Sequence, residues 1–150
     1  MQTQTRSEIR ISLPSKGRLA EDCLAFLSDC GLSVYKPNPR QYEAVIPSLP
    51  GLKVLFQRPA DIVVSVRDGS VDFGITGMDV VQERKGPNGD ILVLHNALNF
   101  GGCSLNLAVP ESWEDVSSVK DLLTAATRLN RPLHVVTKYP RLTGEFLAAN

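Results

Sequence analysis

The residues best placed to do chemistry are cations set just ahead of predicted helices. The stretch "LPSKGRLAEDCLAFLSDCG", residues 13–31, reads as a strand end, a short turn and a helix, with Lys16 and Arg18 at the helix start. A helix start carries partial positive charge, so exposed cations there cost about 0.3–1 kcal/mol each. Its unpaired N–H groups favour anions. Ser15 can cap the helix, and Gly17 lets a ligand approach the backbone closely. A bound anion would turn both cations from a cost into a gain, since charge-assisted hydrogen bonds contribute about 1.5–3 kcal/mol each. The alternative is that both side chains point into solvent, where the penalty is small. The loop is not of the Walker type, because the spacing G-x-x-x-x-G-K is absent. Thr137-Lys138-Tyr139-Pro140 repeats the pattern: a hydroxyl and a cation stand before a second helix start.

Two further strand-to-helix junctions carry polar groups. Arg58 precedes Pro59-Ala60-Asp61 and could reach a phosphate, stack on a base or pair with Asp61. In Thr76-Gly77-Met78-Asp79 the glycine suits a turn and the aspartate an N-cap. Other reactive types point away from catalysis. His95 falls inside a predicted strand and His134 opens one, which suits packed or surface roles. Cys103 follows a glycine pair in an apolar setting and reads as an inert buried thiol. Trp113 reads as a surface-loop anchor. No G-x-S-x-G motif is present. The implied chemistry is polyanion recognition without a covalent nucleophile.

The elements that would hold these groups alternate between strand and helix. Residues 8–13 alternate Ile9, Ile11 and Leu13 with Arg10 and Ser12, a strand pattern. Leu19, Cys23, Phe26, Leu27 and Cys30 then share one helix face, closed by Gly31. Residues 32–36 read as a short strand, and Pro37 and Pro39 mark a turn. "EAVIP" and "LKVLFQR" form a hairpin around "SLPG". A helix follows from Pro59 at N1 to Gly69, despite the β-branched run Ile62-Val63-Val64. Strands are expected over "VDFGIT", "ILVLHNALNF", "GGCSLNLAVP" and "LHVVT". Helices are expected over "GMDVVQERK", "VSSVKDLLTAATRL" and "YPRLTGEFLAA". This order indicates an α/β fold with a parallel or mixed sheet, in which ligands sit beyond the carboxyl ends of the strands. Phe100-Gly101-Gly102 offers either a hinge between two lobes or an ordinary turn.

Bulk properties narrow the class. A chain of 150 residues buries roughly 68–70% of its unfolded surface, enough for a real core. Sixteen basic residues balance sixteen acidic ones, so general nucleic-acid or membrane-surface binding is not expected. No apolar run is long enough to span a bilayer, and the polar start "MQTQTRSEIR" reads as a loose tail without a signal-peptide core. Cys23 and Cys30 would lie roughly 10 Å apart on one helix, too far for a disulfide. No CxxC pair offers a zinc site. A reduced, cytoplasmic protein is the expectation.

Five motifs, "SKGRL", "RPADI", "VDFGITGMDVV", "NFGGCSLNLAVP" and "VVTKYPRLT", occur in an order and spacing that resemble the N-terminal half of ATP phosphoribosyltransferase, which opens histidine biosynthesis. The resemblance runs from about Ile9 to Asn150. It implies a type II periplasmic-binding-protein-like fold, with mixed sheets in two lobes and a cleft between them. Residues 1–98 would form the first lobe and residues 99–150 an incomplete second lobe. It implies that adenine N1 of ATP attacks the anomeric carbon of phosphoribosyl pyrophosphate, releasing pyrophosphate. Magnesium would be bound mostly through substrate phosphates. By motif match, Lys16, Gly17, Arg18 and Arg58 would line the phosphate side, and Gly77 and Asp79 its floor. Gly101 and Gly102 would sit at the crossing into the second lobe, and Thr137, Lys138 and Tyr139 at that lobe's edge. In a full-length enzyme the family implies homo-oligomers, with AMP or histidine as inhibitors.

Two departures from the family pattern stand out. Ser104 occupies a position where a basic residue is often found. The acidic-x-x-x-T-G-x-T loop that cradles the phosphoribosyl 5′-phosphate is absent, since Leu142-Thr143-Gly144 lacks the acidic lead and second threonine. The expectation is a fragment with a truncated second lobe that cannot turn over alone. A non-catalytic small-molecule-binding or effector-sensing module of the same architecture is the rival reading.

Overall fold

A computed structural model describes residues 8–129 and 131–150. The expected N-terminal tail falls on residues 1–7, outside the described residues. The chain divides into two compact units, Met1–Gly102 and Cys103–Asn150.

The first unit is built on one mixed four-stranded sheet of order β2-β3-β1-β4. Its strands are β1 (Ile9–Pro14), β2 (Glu43–Val45), β3 (Leu52–Gln57) and β4 (Phe73–Gly74). β1 lies at the centre, parallel to both β3 and β4, while β2 pairs antiparallel with β3 as the expected hairpin. The register sets Ile11 beside Val54 and Leu13 beside Phe56, with Ala44 beside Val54. Side chains alternate across a strand, so these residues share one face. They form the core cluster with Leu27 and Ile46, against which Phe26 and Phe73 pack.

Helix α1 (Arg18–Asp29) covers that face through Leu27 and Phe26. It ends as the sequence implies, with Cys30 at the C-cap and Gly31 at φ 76°, the left-handed conformation glycine adopts without strain. Helix α2 (Pro59–Arg67) joins β3 to β4 and buries Ile62 and Val63. The β-branched run is thus helical, because tertiary burial outweighs its modest propensity penalty. Helix α3 (Met78–Arg84) follows β4. The guanidinium of Arg67 donates from Nη1 to the Arg84 carbonyl at 3.3 Å, satisfying a group at the end of α3.

The second unit carries α4 (Val119–Arg128) and α5 (Pro140–Ala149). Ser118 caps α4: its hydroxyl accepts from the Asp121 N–H at 3.2 Å and donates to Asp121 Oδ2 at 2.7 Å. Trp113 is half-buried in a turn, where its N–H donates to the Pro110 carbonyl.

Several expected strands are not formed. Residues 32–36 supply only an isolated bridge between Tyr35 and Val45. Residues 91–110 and 133–137 are irregular. They have strand-like composition, but no neighbouring strand pairs with them among the described residues, and a strand needs a ladder partner to satisfy its backbone. Leu92, Leu94 and Val136 are consequently 80%, 79% and 98% exposed. Sheets are expected in both lobes; among the described residues, strands occur only in the first unit.

Candidate functional site

Because β1, β3 and β4 run parallel, their carboxyl ends meet at one edge of the sheet. Pro14 pairs with Gln57 and Ser12 with Gly74, so the loops bearing Lys16, Arg58 and Gly77 leave from neighbouring positions. Hydrogen bonds tie these loops together. The Ser15 N–H donates to the Gln57 carbonyl at 2.8 Å, and the Ile75 N–H donates to the Ser12 carbonyl at 3.0 Å. Thr76 Oγ1 donates to the Pro59 carbonyl at 3.2 Å, fastening the β4–α3 loop to the first turn of α2.

Three helices start at this edge, and none has a side-chain cap. The N-cap residues are Gly17 for α1, Arg58 for α2 and Gly77 for α3. Ser15 and Asp79 are therefore not the caps expected of them. Gly17 takes the cap position at φ 80°, ψ −179°, a conformation open essentially to glycine alone, which moves Ser15 out of reach of the helix start. Asp79 falls inside the first turn of α3, and its carboxylate folds back over Gly77 so closely that a Cβ there would overlap Asp79 Oδ1. α4, in the second unit, does carry a side-chain cap.

The cations at this edge face water. Lys16 and Arg58 are exposed. The Arg18 side chain is 93% exposed and only loosely engaged, with Nε 3.8 Å from Asp22 Oδ2. Among the described residues no ion pair joins Arg58 to Asp61. Such an edge offers helix-start N–H groups and exposed positive side chains to a multiply charged anion.

The remaining expected residues lie elsewhere. Gly101 and Gly102 end the first unit, with Gly101 at φ 69°. Thr137, Lys138 and Tyr139 belong to the second unit, ahead of α5. There Tyr139 is the N-cap residue, and its N–H donates to Thr137 Oγ1 at 3.0 Å. Thr137 Oγ1 also accepts from Thr143 Oγ1 at 3.1 Å, so its hydroxyl organises the local turn. Lys138 is exposed. His95 and His134 are exposed in irregular segments rather than set in strands. Cys103 is an exposed thiol, contrary to the buried reading, because the strand expected to shelter it does not form. Cys23, on the inner face of α1, is buried, and that burial, with Asp22 nearby, pushes its thiol up to about 12.

Sequence reasoning missed the support beneath this edge. Ser12 is fully buried, and its hydroxyl donates to Gln57 Oε1 at 2.7 Å. Gln57 Nε2 in turn donates to Ser65 Oγ of α2 at 3.0 Å. Alternation alone reads Ser12 as solvent-facing; the signal for burial is that its strand is central, with helices on both faces.

No group of three His, Cys, Asp or Glu side chains among the described residues could hold a metal ion. No helix among them is long and apolar enough to cross a membrane.

The fold and this edge define an open, mixed α/β domain with uncapped helix starts gathered at the strand ends. The family model described as HisG, ATP phosphoribosyltransferase, matches residues 58–150. ATP phosphoribosyltransferase 2, chloroplastic, of Arabidopsis thaliana is 46% identical over 148 residues, spanning 97% of this chain and 36% of its own length. The ATP phosphoribosyltransferase of Brucella anthropi is 38% identical over 145 residues, 93% of this chain and 63% of its own. A solved chain of the ATP phosphoribosyl transferase (HisG:HisZ) complex from Thermotoga maritima aligns with a TM-score of 0.43 and 23% identity, over 53% of this chain and 36% of that one. The chain belongs to the ATP phosphoribosyltransferase family. It spans just over a third of the length of the plant relative and under two thirds of the bacterial one.

Proposed function

We propose that this chain serves ATP phosphoribosyl transfer, the joining of ATP to phosphoribosyl pyrophosphate at the start of histidine biosynthesis, and that the sheet edge holds substrate phosphates. The observation that carries the reading is the convergence of Lys16-Gly17-Arg18, Arg58 and Gly77 at the ends of three adjacent parallel strands in a member of this family. In the reaction the lone pair of adenine N1 forms a bond to the anomeric carbon as the carbon–oxygen bond to pyrophosphate breaks, and the leaving group departs with that electron pair. The protein's part is alignment of the two substrates and neutralisation of the leaving charge. Lys16 and Arg18 supply charge, Gly17 gives close backbone approach, and Arg58 clamps a phosphate. Gly77 and Asp79 shape the floor. Magnesium would be carried into the site by the substrate phosphates, whose oxygens suit that hard cation. In the whole protein, the architecture would be type II periplasmic-binding-protein-like. Gly101 and Gly102 would then lie at the crossing into a second lobe, to which Thr137, Lys138 and Tyr139 belong.

Isothermal titration with ATP, AMP, phosphoribosyl pyrophosphate and a neutral sugar tests this. Micromolar binding of a phosphorylated ligand that Arg18→Ala weakens by about tenfold supports it, a loss that matches about 1.4 kcal/mol. Binding of the neutral solute alone would favour a non-catalytic sensing module instead.

A further inference from the structure

We propose that Phe100 is a positioning residue for the phosphate-facing start of α1, an inference that rests on the functional reading above. Residues 99–101 lie along one side of that helix and touch it at two levels. The Phe100 ring sits 5.7 Å from the Phe26 ring at a 47° tilt, a favourable aromatic geometry. A Cβ on Gly101 would lie 2.7 Å from Leu19 Cδ1, so the Gly101 backbone rests directly on the Leu19 side chain. Leu19 and Phe26 are seven residues apart, two turns along one face. Leu19 is also the neighbour of Arg18, in the first turn of α1.

The backbone here is specialised. Asn99, at φ 64°, is the one non-glycine residue with positive φ among those described, and Gly101 follows at φ 69°. Two left-handed residues flank Phe100. Such conformations persist where the surroundings over-determine them, and they gather at functional positions. The contacts around this bend reach α1 at Leu19, in its first turn, and at Phe26, two turns further on. Seating of Phe100 therefore sets where the uncapped N–H groups and the Lys16-Gly17-Arg18 loop stand, and the crossing segment and the anion-facing loop move as one.

The test uses Phe100→Leu, Phe100→Tyr, Phe26→Leu and the double leucine variant. Readouts are the ATP dissociation constant and the amide hydrogen exchange of residues 18–21. Leu122→Ala, which damages the second unit's packing, serves as a control for general destabilisation. Phe100→Leu is expected to weaken ATP binding about three- to tenfold and to speed exchange at residues 18–21. Phe100→Tyr keeps the ring and restores binding, the double variant is no weaker than Phe100→Leu, and Leu122→Ala binds normally. Wild-type affinity in Phe100→Leu, or additive losses in the double variant, would overturn the proposal. If the unaltered chain binds no nucleotide, the functional reading fails on its own. Exchange then decides: faster exchange at residues 18–21 in Phe100→Leu sustains the positioning role, and unchanged exchange refutes it.

Discussion

Ser12 Oγ and Gln57 Oε1 meet at 2.7 Å inside the first unit, joining the central strand to the residue that precedes Arg58. The same glutamine reaches Ser65 of α2, so one side chain links two strands and a helix beneath the strand-end edge. Ser12→Ala removes the donor and leaves the glutamine carbonyl without its partner, at a cost of about 1–2 kcal/mol. Gln57→Met costs less, because the Ser12 hydroxyl retains the Leu55 carbonyl at 3.3 Å as an acceptor. Thermal melts should show Ser12→Ala lowered by about 2–8 °C and Gln57→Met by less.

Two glycines should respond to alanine in opposite directions. At Gly74 a Cβ would lie 2.5 Å from Ile62 Cγ2 and 3.1 Å from the Ser12 carbonyl, so α2 would have to lift from the sheet. Gly74→Ala should destabilise by about 1–3 kcal/mol. At Gly144, inside α5, a Cβ meets nothing within 4 Å. Gly144→Ala should stabilise that helix by about 0.5–1 kcal/mol. Denaturant midpoints for the two variants check both signs.

The cysteines divide by burial. Cys30 and Cys103 are exposed, while Cys23 is buried with its thiol pushed up to about 12. A thiol reagent at pH 8 should label Cys30 and Cys103 rapidly in the folded chain and Cys23 only after denaturation. The raised value also carries a sign: the buried neutral thiol contributes stability below its unfolded value of 9.0, and that contribution is lost as pH rises towards 12. Cys23→Ala should flatten this alkaline decline.

The N-terminus of α4 should be acid-sensitive. Hydrogen bonds from the side chains of Ser118 and Ser117 hold the Asp121 carboxyl below its ordinary value of 3.8. A depressed value stabilises the folded form above the unfolded value and ceases to do so as pH falls through the folded one. Asp121→Asn should therefore be less stable than the parent at pH 7, with the gap closing once pH drops well below 3.8. Ser118→Ala should cost about 1 kcal/mol at neutral pH. Circular dichroism melts across the acid range would show both.

Local signals made the first unit legible. Pro59 at N1, Gly31 and Gly69 after helix ends, and the alternation around Ile11 and Leu13 each report backbone rules that operate within a few residues. They located β1, the β2–β3 hairpin and α1 to α3, with β4 shorter than expected. The same signals misread residues 91–110 and 133–137, because a strand is fixed by its neighbour and not by Leu92 or Val136 alone. Within the candidate site, sequence could place Lys16, Arg58 and Gly77 at strand-to-helix junctions. It could not show that Gly17 would displace Ser15 from the cap, nor that Asp79 would fold over Gly77, since both depend on backbone angles. The burial of Ser12 was out of reach for a related reason: polar alternation cannot distinguish an edge strand from a central one.

The central claim, that phosphates bind at the strand-end edge, is tested most directly by amide NMR of the isotope-labelled chain during titration with ATP. The account predicts saturable shifts concentrated at Gly17, Arg18, Leu19 and Gly77, fading as added salt screens the charges. Shifts confined to other parts of the chain, or none at millimolar ATP, would contradict it.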